Sequence, residues 1–185
     1  MFFARFFAVS FLVASFGFVA SAPSSNAAVQ KRQDTADIAT VLSTLQSSTN
    51  TTLSQITSFG QAGTATNANI APLVDDLITS LNTASSSLAS LETSSRKARR
   101  QSEDEIATTT ADIVTDIADA LGSVVDALGG VIPGASNLDT ALNEVLSGLE
   151  TLLSGVLTLV ADLLVDVAGL LNSLALGLTL GSLGL

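Results

Sequence analysis

The last quarter of the chain, residues 137–185, has the strongest pattern of apolar positions. It holds 18 leucines in 49 residues and no lysine or arginine. Apolar side chains recur at steps of three and four from Leu138 to Leu174, which is the period of an α-helix. The polar and glycine positions form only a narrow stripe, whereas a surface helix normally carries a broad polar face. We therefore expect other helices, copies of the same helix, or an external nonpolar surface to cover it.

Three glycines, Gly148, Gly155 and Gly169, interrupt this stretch. A continuous helix up to Leu174 would be about 57 Å long at the usual rise per residue, which is long for a small bundle. The sequence therefore predicts a break near one of these glycines, and their alignment suggests where a second helix could approach closely. In residues 176–185 leucine alternates with glycine or polar residues, which predicts a strand-like or frayed tail.

Two further apolar stripes of helical period lie between residues 34 and 91. A turn rich in glycine and asparagine, residues 60–69, separates them. Asp34 is placed to cap the first helix, and Pro72 fits only the first turn of the second. The two stripes predict an antiparallel helical hairpin.

A third amphipathic helix is predicted to follow residue 102. Ser102 and Glu105 have the spacing of a capping box, and glycines with Pro133 end the helix and turn the chain. Ser136 and Asp139 are placed to cap the Leu-rich helix that follows.

The outer face of this third helix carries a row of carboxylates, at Glu105, Asp112, Asp116, Asp119 and Asp126. A calcium site needs converging oxygen atoms, usually on a loop, and the sequence has no such loop. We therefore predict a solvated acidic face and no metal site.

These elements together predict an all-α protein. An N-terminal helical hairpin, residues 33–95, rich in serine and threonine, is followed by an acidic Leu-rich helical region, residues 103–185, which forms a second hairpin. One shared four-helix bundle and two separate hairpins are both compatible with the pattern.

The N-terminal part of the chain has the features of a secreted precursor. Residues 1–22 combine a basic residue, an apolar run and a small-residue cleavage site, which is typical of a signal peptide. Residues 23–32 form a short propeptide ending in Lys31 and Arg32, a pair that resembles the maturation site of fungal secretory endoproteases. Cleavage there would make Gln33 the first residue of a protein that is secreted, extracellular or bound in the cell wall.

A basic linker, residues 96–102, separates the two halves. It is either a solvated connection or a second processing site at Arg99 and Arg100. A repeat gives weight to the second interpretation. Residues 31–40 and 99–108 both run two basic residues, Gln, three residues, an acid and Ile-Ala-Thr.

Composition excludes several classes of function. The chain has no Cys, His, Trp or Tyr, so it lacks disulfides, thiol nucleophiles and histidine ligands or bases. Its 17 acids and 7 bases give a net charge of -10, which repels the phosphates of nucleic acid. Nucleotide-binding, hydrolase and metal-ligand motifs are missing from the sequence. We therefore predict no catalytic residue, no cofactor and no nucleic-acid partner, and no enzymatic activity.

The N-terminal half is rich in hydroxyl groups. Serine and threonine number 24 in residues 33–95, which predicts a hydroxyl-rich outer face suited to O-glycosylation. One N-glycosylation sequon is present, at Asn50.

The layout of the chain resembles a class of fungal wall proteins. A leader, the Lys31-Arg32-Gln33 junction and a Ser/Thr-rich hairpin precede a cysteine-free Leu-rich half containing LVADLLVDVAGLL and GLTLGSLGL. This order is similar to that of the small secreted hyphal-wall proteins of mushroom-forming fungi, which act beside hydrophobins in aerial growth and attachment. The front hairpin is similar, more weakly, to fungal hydrophobic surface-binding proteins. The eight-cysteine pattern of hydrophobins themselves is missing.

The resemblance implies a structural protein of the hyphal surface that adsorbs to or coats hydrophobic surfaces and aids attachment or aerial growth. Its implied partners are nonpolar surfaces, copies of itself, and wall polysaccharide or other wall proteins. The residue pattern also allows an extracellular lipid-binding module, with a pocket for a fatty acid or sterol between the Leu-rich helices. A third interpretation is a precursor of two processed secreted peptides.

Overall fold

The computed structural model describes residues 26–92 and 103–185, and in this part of the chain the protein consists of α-helices and turns, as predicted. The predicted signal peptide, residues 1–22, and the basic linker, residues 96–102, lie outside the described residues. The seven helices are Asn26–Ala62 (α1), Asn67–Glu92 (α2), Glu103–Val125 (α3), Ala135–Leu152 (α4), Val156–Leu164 (α5), Ala168–Ser173 (α6) and Gly177–Leu183 (α7).

Helix α1 begins at Asn26, so the prediction that Asp34 caps it is wrong. The segment before Asp34 reads NAAVQKRQ, and alanine, glutamine, lysine and arginine are good helix formers. Lys31 and Arg32 therefore lie in the first turns of α1. A protease that binds an extended substrate would have to unwind these turns before it could cut after Arg32.

The turn between α1 and α2 is shorter than predicted, because both helices extend into residues 60–69. Gly63 has a φ of 64°, a conformation that favours glycine. The side chain of Asn69 closes the loop: its Oδ1 accepts a hydrogen bond from the Thr66 N–H at 2.7 Å, and its Nδ2 donates to the Thr64 carbonyl at 2.9 Å. Helix α2 begins at Asn67, which places Pro72 in its second turn.

Helices α1 to α4 share one core. Leu42 of α1, Leu81 of α2, Ile113 of α3 and Val145 of α4 line a common gap of about 10 Å³ at its centre. All four side chains are buried. The N-terminal and Leu-rich halves are therefore packed together, and most of the leucines are covered by other helices of the same chain.

The hairpin of α1 and α2 and the hairpin of α3 and α4 are copies of one unit. Residues 68 positions apart, such as Ile38 and Ile106, occupy equivalent places in the two hairpins. The similarity between residues 31–40 and 99–108 therefore extends through both helices. The pairs in which both side chains are buried include Ile38/Ile106, Leu45/Ile113, Leu53/Leu121, Ile56/Val124, Ile70/Leu138, Val74/Leu142, Leu77/Val145 and Leu81/Leu149.

Equivalent helices lie side by side and run parallel. The segment from Gly134 to Gly148 shows this for α4: Gly134 lies against Val74 near the start of α2, and Gly148 lies against Leu88 near its end. Helix α3 packs against α1 in the same way, α5 packs against α3, and α7 packs against α4. The chain is therefore a stack of three units: a first hairpin (α1–α2), a second hairpin (α3–α4) and a shorter third unit (α5–α7).

The first two hairpins approach most closely between α1 and α3. A Cβ atom on Gly60 would lie 2.6 Å from the Oγ and 2.8 Å from the carbonyl oxygen of Ser123, so only glycine fits. The alignment of Gly148, Gly155 and Gly169 does not mark a comparable contact. Gly148 meets Leu88 at an ordinary distance, and nothing lies within 4 Å of the Cβ position at Gly155 or Gly169.

The Leu-rich stretch breaks at Gly155, one of the three positions predicted. Helix α4 ends at Leu152, and Gly155 turns the chain with a φ of 95° before α5 begins at Val156. The C-terminal region is therefore more than the single second hairpin predicted. The prediction of a strand-like or frayed tail is also wrong, because residues 177–183 form α7, which packs against α4 and α5.

Candidate functional site

A buried carboxylate fixes the third unit to the second hairpin. Asp139 of α4 is 4% exposed, and its carboxylate accepts three hydrogen bonds from the first turn of α7. The donors are the Leu178 N–H at 2.8 Å, the Thr179 N–H at 2.8 Å and the Thr179 hydroxyl at 2.7 Å. The first N–H groups of a helix have no partner within it, so this carboxylate caps α7 and is stabilised by the helix dipole.

Asp139 was predicted to cap α4 together with Ser136, and this is wrong. Gly134 occupies the N-cap position of α4, with a φ of 76° and no hydrogen bond from a capping side chain. Asp139 instead faces α7, where Asn143, one turn further along α4, also accepts a hydrogen bond from the Ser182 hydroxyl. Thr179 and Ser182 are polar residues in an uncharged tail, and they were the only sequence signal for this contact.

A second carboxylate caps α5. Glu150 of α4 accepts hydrogen bonds from the Gly155 N–H at 2.9 Å and from the Leu157 N–H at 3.2 Å. The two carboxylates, on Asp139 and Glu150, thus fix both the start and the end of the third unit. They are structural groups, and no pair of acids among the described residues flanks a reacting position.

The apolar side chains left in contact with solvent are concentrated in this third unit. Among the described residues the large apolar side chains with the highest exposure include Leu163 at 51%, Val165 at 58%, Leu178 at 53% and Leu185 at 43%. We call these four the C-terminal apolar set. The only other exposed large apolar residue in the described part is Val131, in the turn before α4. Residues 167–185 carry no charge, so water around this set has few ionic groups to solvate.

The opposite end of the stack has a groove between α1 and α2. It has a volume of about 310 Å³, and its apolar residues are Val41, Leu45 and Ala84. We call it the hydroxyl groove, because its remaining lining consists of hydroxyl side chains, on Thr40, Thr44, Ser48, Thr79, Ser80, Thr83 and Ser87.

The hydroxyls of this groove are largely bound to their own helices. Thr44 donates to the Thr40 carbonyl at 2.8 Å, and Thr83 donates to the Thr79 carbonyl at 2.8 Å. Such bonds to the preceding turn are typical of threonine and serine within helices. Because the protons are used internally, the groove presents methyl groups and acceptor oxygens to a neighbour.

The acidic row of α3 lies on the surface. Glu105, Asp112, Asp119 and Asp126 are exposed, as predicted, and Asp116 is exposed beside them. The pKa of Asp116 is raised, first because its neighbours partly shield it from water and second because Asp112 and Asp119 are close. Among the residues that the structure describes, no three acids converge as a metal site would require.

Asn50, the predicted glycosylation site, is exposed near the middle of α1. It borders an open groove between α1 and α3 that also contains Ser54, Asp116 and Asp119. A glycan on Asn50 would therefore project from the junction of the first two hairpins, away from the shared core.

The predicted processing residues differ in what the structure describes. The backbone of Lys31 and Arg32 lies within α1. Arg99 and Arg100 lie outside the described residues, and cleavage there stays a prediction.

The core leaves little space for a small molecule. Its central gap of about 10 Å³ is far below the roughly 300 Å³ at which ligand pockets begin. None of the helices described is long and apolar enough to cross a membrane.

Comparison with known proteins gives no relative: neither a protein-family model nor a curated protein sequence matches the chain. The argument for function therefore rests on the residues and on the geometry described above.

Proposed function

We propose that this chain is a secreted structural protein of the fungal cell wall or hyphal surface that adsorbs to hydrophobic surfaces and aids attachment or aerial growth. The single observation that carries the proposal is the asymmetry of the exposed side chains. The C-terminal apolar set lies in an uncharged third unit, whereas the exposed faces of α1 and α2 carry hydroxyl groups. Scattered apolar residues are normal on any surface, but four within residues 163–185 form an unusual concentration.

Adsorption would place the third unit against the nonpolar material and the hydroxyl-rich first hairpin toward water or the wall. Each 100 Å² of apolar area removed from water contributes about 2.5 kcal/mol. A few leucines and valines therefore suffice for reversible adsorption without opening the core. Acidic groups on α3 stay hydrated in this orientation, which keeps the protein soluble before it reaches a surface. The proposed role requires no catalytic residue, metal ion or cofactor.

The alternative interpretations fit the geometry less well. A fatty acid or sterol would need the core to expand, since the gap between α1 and α4 is about 10 Å³. A precursor of two independent peptides would have to separate helices that share a core, because α1 packs against α3 and α2 packs against α4. If cleavage occurs at the linker, we expect the two pieces to stay associated.

Adsorption of the secreted chain to polystyrene, followed by mass-sensing on a coated crystal, tests the proposal. Leu163→Ser/Leu178→Ser removes the two most separated members of the apolar set that lie within helices and should weaken adsorption severalfold. Thr44→Ser/Thr83→Ser is the matched control, because it removes two methyl groups from the first hairpin and should leave adsorption unchanged.

A wild-type chain that washes off polystyrene in plain buffer would contradict the proposal. A chain that carries extractable lipid and ignores surfaces would favour the lipid-binding alternative instead.

A further inference from the structure

The units of this protein stack through two different faces. Where the first two hairpins meet, α1 presents Leu53 and Ser54 to a groove whose other wall is formed by Asp116 and Ala120 of α3. The positions on α1 equivalent to Asp116 and Ala120 are Ser48 and Thr52, which are not part of that groove. Because each unit uses one face toward the preceding unit and another toward the following unit, the stacking is heterologous and does not close on itself.

The first hairpin keeps a free face of the kind that α3 and α4 use to receive a neighbour. In the second hairpin Gly148 receives Leu88 of α2, with 3.5 Å between the Cβ position and the leucine. The equivalent residue in the first hairpin is Ser80, which lines the hydroxyl groove. The hydroxyl groove is therefore the counterpart of the surface on which the first hairpin packs against the second.

The third unit has the opposite free face. Its helices pack against α3 and α4 on one side, and its exposed side chains include the C-terminal apolar set. In a stacked repeat protein the terminal units normally carry polar outer faces, because an apolar one invites another repeat. This third unit lacks such a polar cap.

Charge also favours contact between these two faces. The hydroxyl groove has no charged lining residue, and residues 167–185 carry none. The acids of the described part lie elsewhere, mainly on the outer face of α3 and at Asp162 and Asp166. For a chain with a net charge of -10, a contact between two uncharged faces brings few like charges close together.

We propose that the third unit of one copy docks into the hydroxyl groove of a second copy, so that copies stack head to tail. This inference rests on the proposed function, since it names the contact by which adsorbed copies would associate into a coat. The stacking direction already present within one chain would continue from copy to copy. Such a contact produces open chains rather than closed dimers.

Paired variants test the geometry by sedimentation velocity. Thr44→Glu/Thr83→Glu places charges on exposed positions of the groove, and Leu163→Glu/Leu178→Glu places them on the third unit. Thr140→Glu, at an exposed position of α4 outside both faces, is the control. Circular dichroism confirms that each variant is folded, and the less disruptive single variants Thr44→Glu and Leu178→Glu replace any double variant that is not.

The wild type and the Thr140→Glu control should form a concentration-dependent series of species, and each face variant alone should sediment as a monomer. An equal mixture of the two face variants should form a dimer and nothing larger, because one intact groove and one intact third unit remain. A monomeric wild type, an assembly that stops at the dimer, a monomeric mixture, or loss of assembly in the control would each overturn the inference. Since adsorption is measured separately, a monomer that still coats polystyrene refutes the stacking and leaves the proposed function standing.

Discussion

The carboxylate of Asp139 accepts a hydrogen bond from the hydroxyl of Thr179 at 2.7 Å, across 40 residues of sequence. Both side chains are buried, at 4% and 0% exposure. This contact determines where the last, uncharged part of the chain lies: without it, α7 would have neither a cap nor a fixed register against α4.

Replacing Asp139 should therefore destabilise the fold more than replacing any exposed acid. Asp139→Ala leaves buried N–H and hydroxyl groups without a partner and should lower the free energy of unfolding by about 2–3 kcal/mol. Asp139→Asn keeps one acceptor oxygen and should cost about 1–2 kcal/mol. Asp162→Asn, at an exposed position of α5, should change the stability by less than about 0.5 kcal/mol. Urea denaturation monitored by circular dichroism measures all three, and equal effects would show that the capping contact is unimportant.

The contact between Gly60 and Ser123 should be intolerant of a side chain. Gly60→Ala places a methyl group 2.6 Å from the Ser123 Oγ, so α1 and α3 must separate, at a cost of about 1–3 kcal/mol. Gly169→Ala is the control, because its Cβ position is open and alanine favours helix. It should stabilise the protein by about 0.5–1 kcal/mol. Thermal unfolding of the two variants should therefore shift in opposite directions.

Asp116 should give the acidic face of α3 a measurable pH dependence. Its pKa in the folded chain is raised, chiefly by partial burial and then by Asp112 and Asp119. As the pH falls, the folded chain therefore binds this proton before the unfolded chain does. Asp116 lowers the stability at neutral pH, and this effect disappears as the pH falls through the folded pKa and on through the unfolded one.

Asp116→Asn should accordingly raise the free energy of unfolding at neutral pH by less than about 0.5 kcal/mol, with no gain in acid. Asp126→Asn is the comparison, because Asp126 lies outside the groove between α1 and α3 and should gain less. A stability gain from Asp116→Asn that is the same at every pH would contradict this account.

The pattern of apolar residues predicted the helices far better than their packing. The stripes around Ile38 and Ile70 identified α1 and α2, and the glycines identified the break at Gly155. A helical stripe reports that a face is buried but not which helix covers it, so the shared core of α1 to α4 could not be read from the pattern. The repeat between residues 31–40 and 99–108 was visible, yet it covered too few residues to reveal equivalent hairpins.

The candidate surfaces were predictable only in part. Composition indicated a hydroxyl-rich first half and a Leu-rich second half, and both are observed. Which leucines stay exposed depends on tertiary contacts: Leu171 is buried, whereas Leu163 is half exposed. The role of Asp139 was assigned to the wrong helix because a capping residue is normally found beside the helix it caps. Here the capped helix lies 40 residues further along the chain.

Separated halves should behave differently from the whole chain, because α1 and α2 cover much of the Leu-rich region. Residues 101–185 alone should bind polystyrene or oil and form oligomers, and residues 33–95 alone should stay soluble and wash off. Mixing the two fragments should restore helical content and reduce the adsorption of the C-terminal fragment. Fragments that ignore each other in circular dichroism and sedimentation would contradict a shared core.

The central claim is that the folded protein meets nonpolar surfaces through its third unit. Because the chain contains no cysteine, one environment-sensitive fluorophore can be attached at a chosen position through Leu178→Cys, Ser58→Cys or Thr140→Cys. Emission is then compared between the free protein and protein adsorbed to polystyrene beads. The account predicts a blue shift at position 178 and emission typical of water at positions 58 and 140. Equal shifts at all three positions, or a shift confined to position 58, would contradict it.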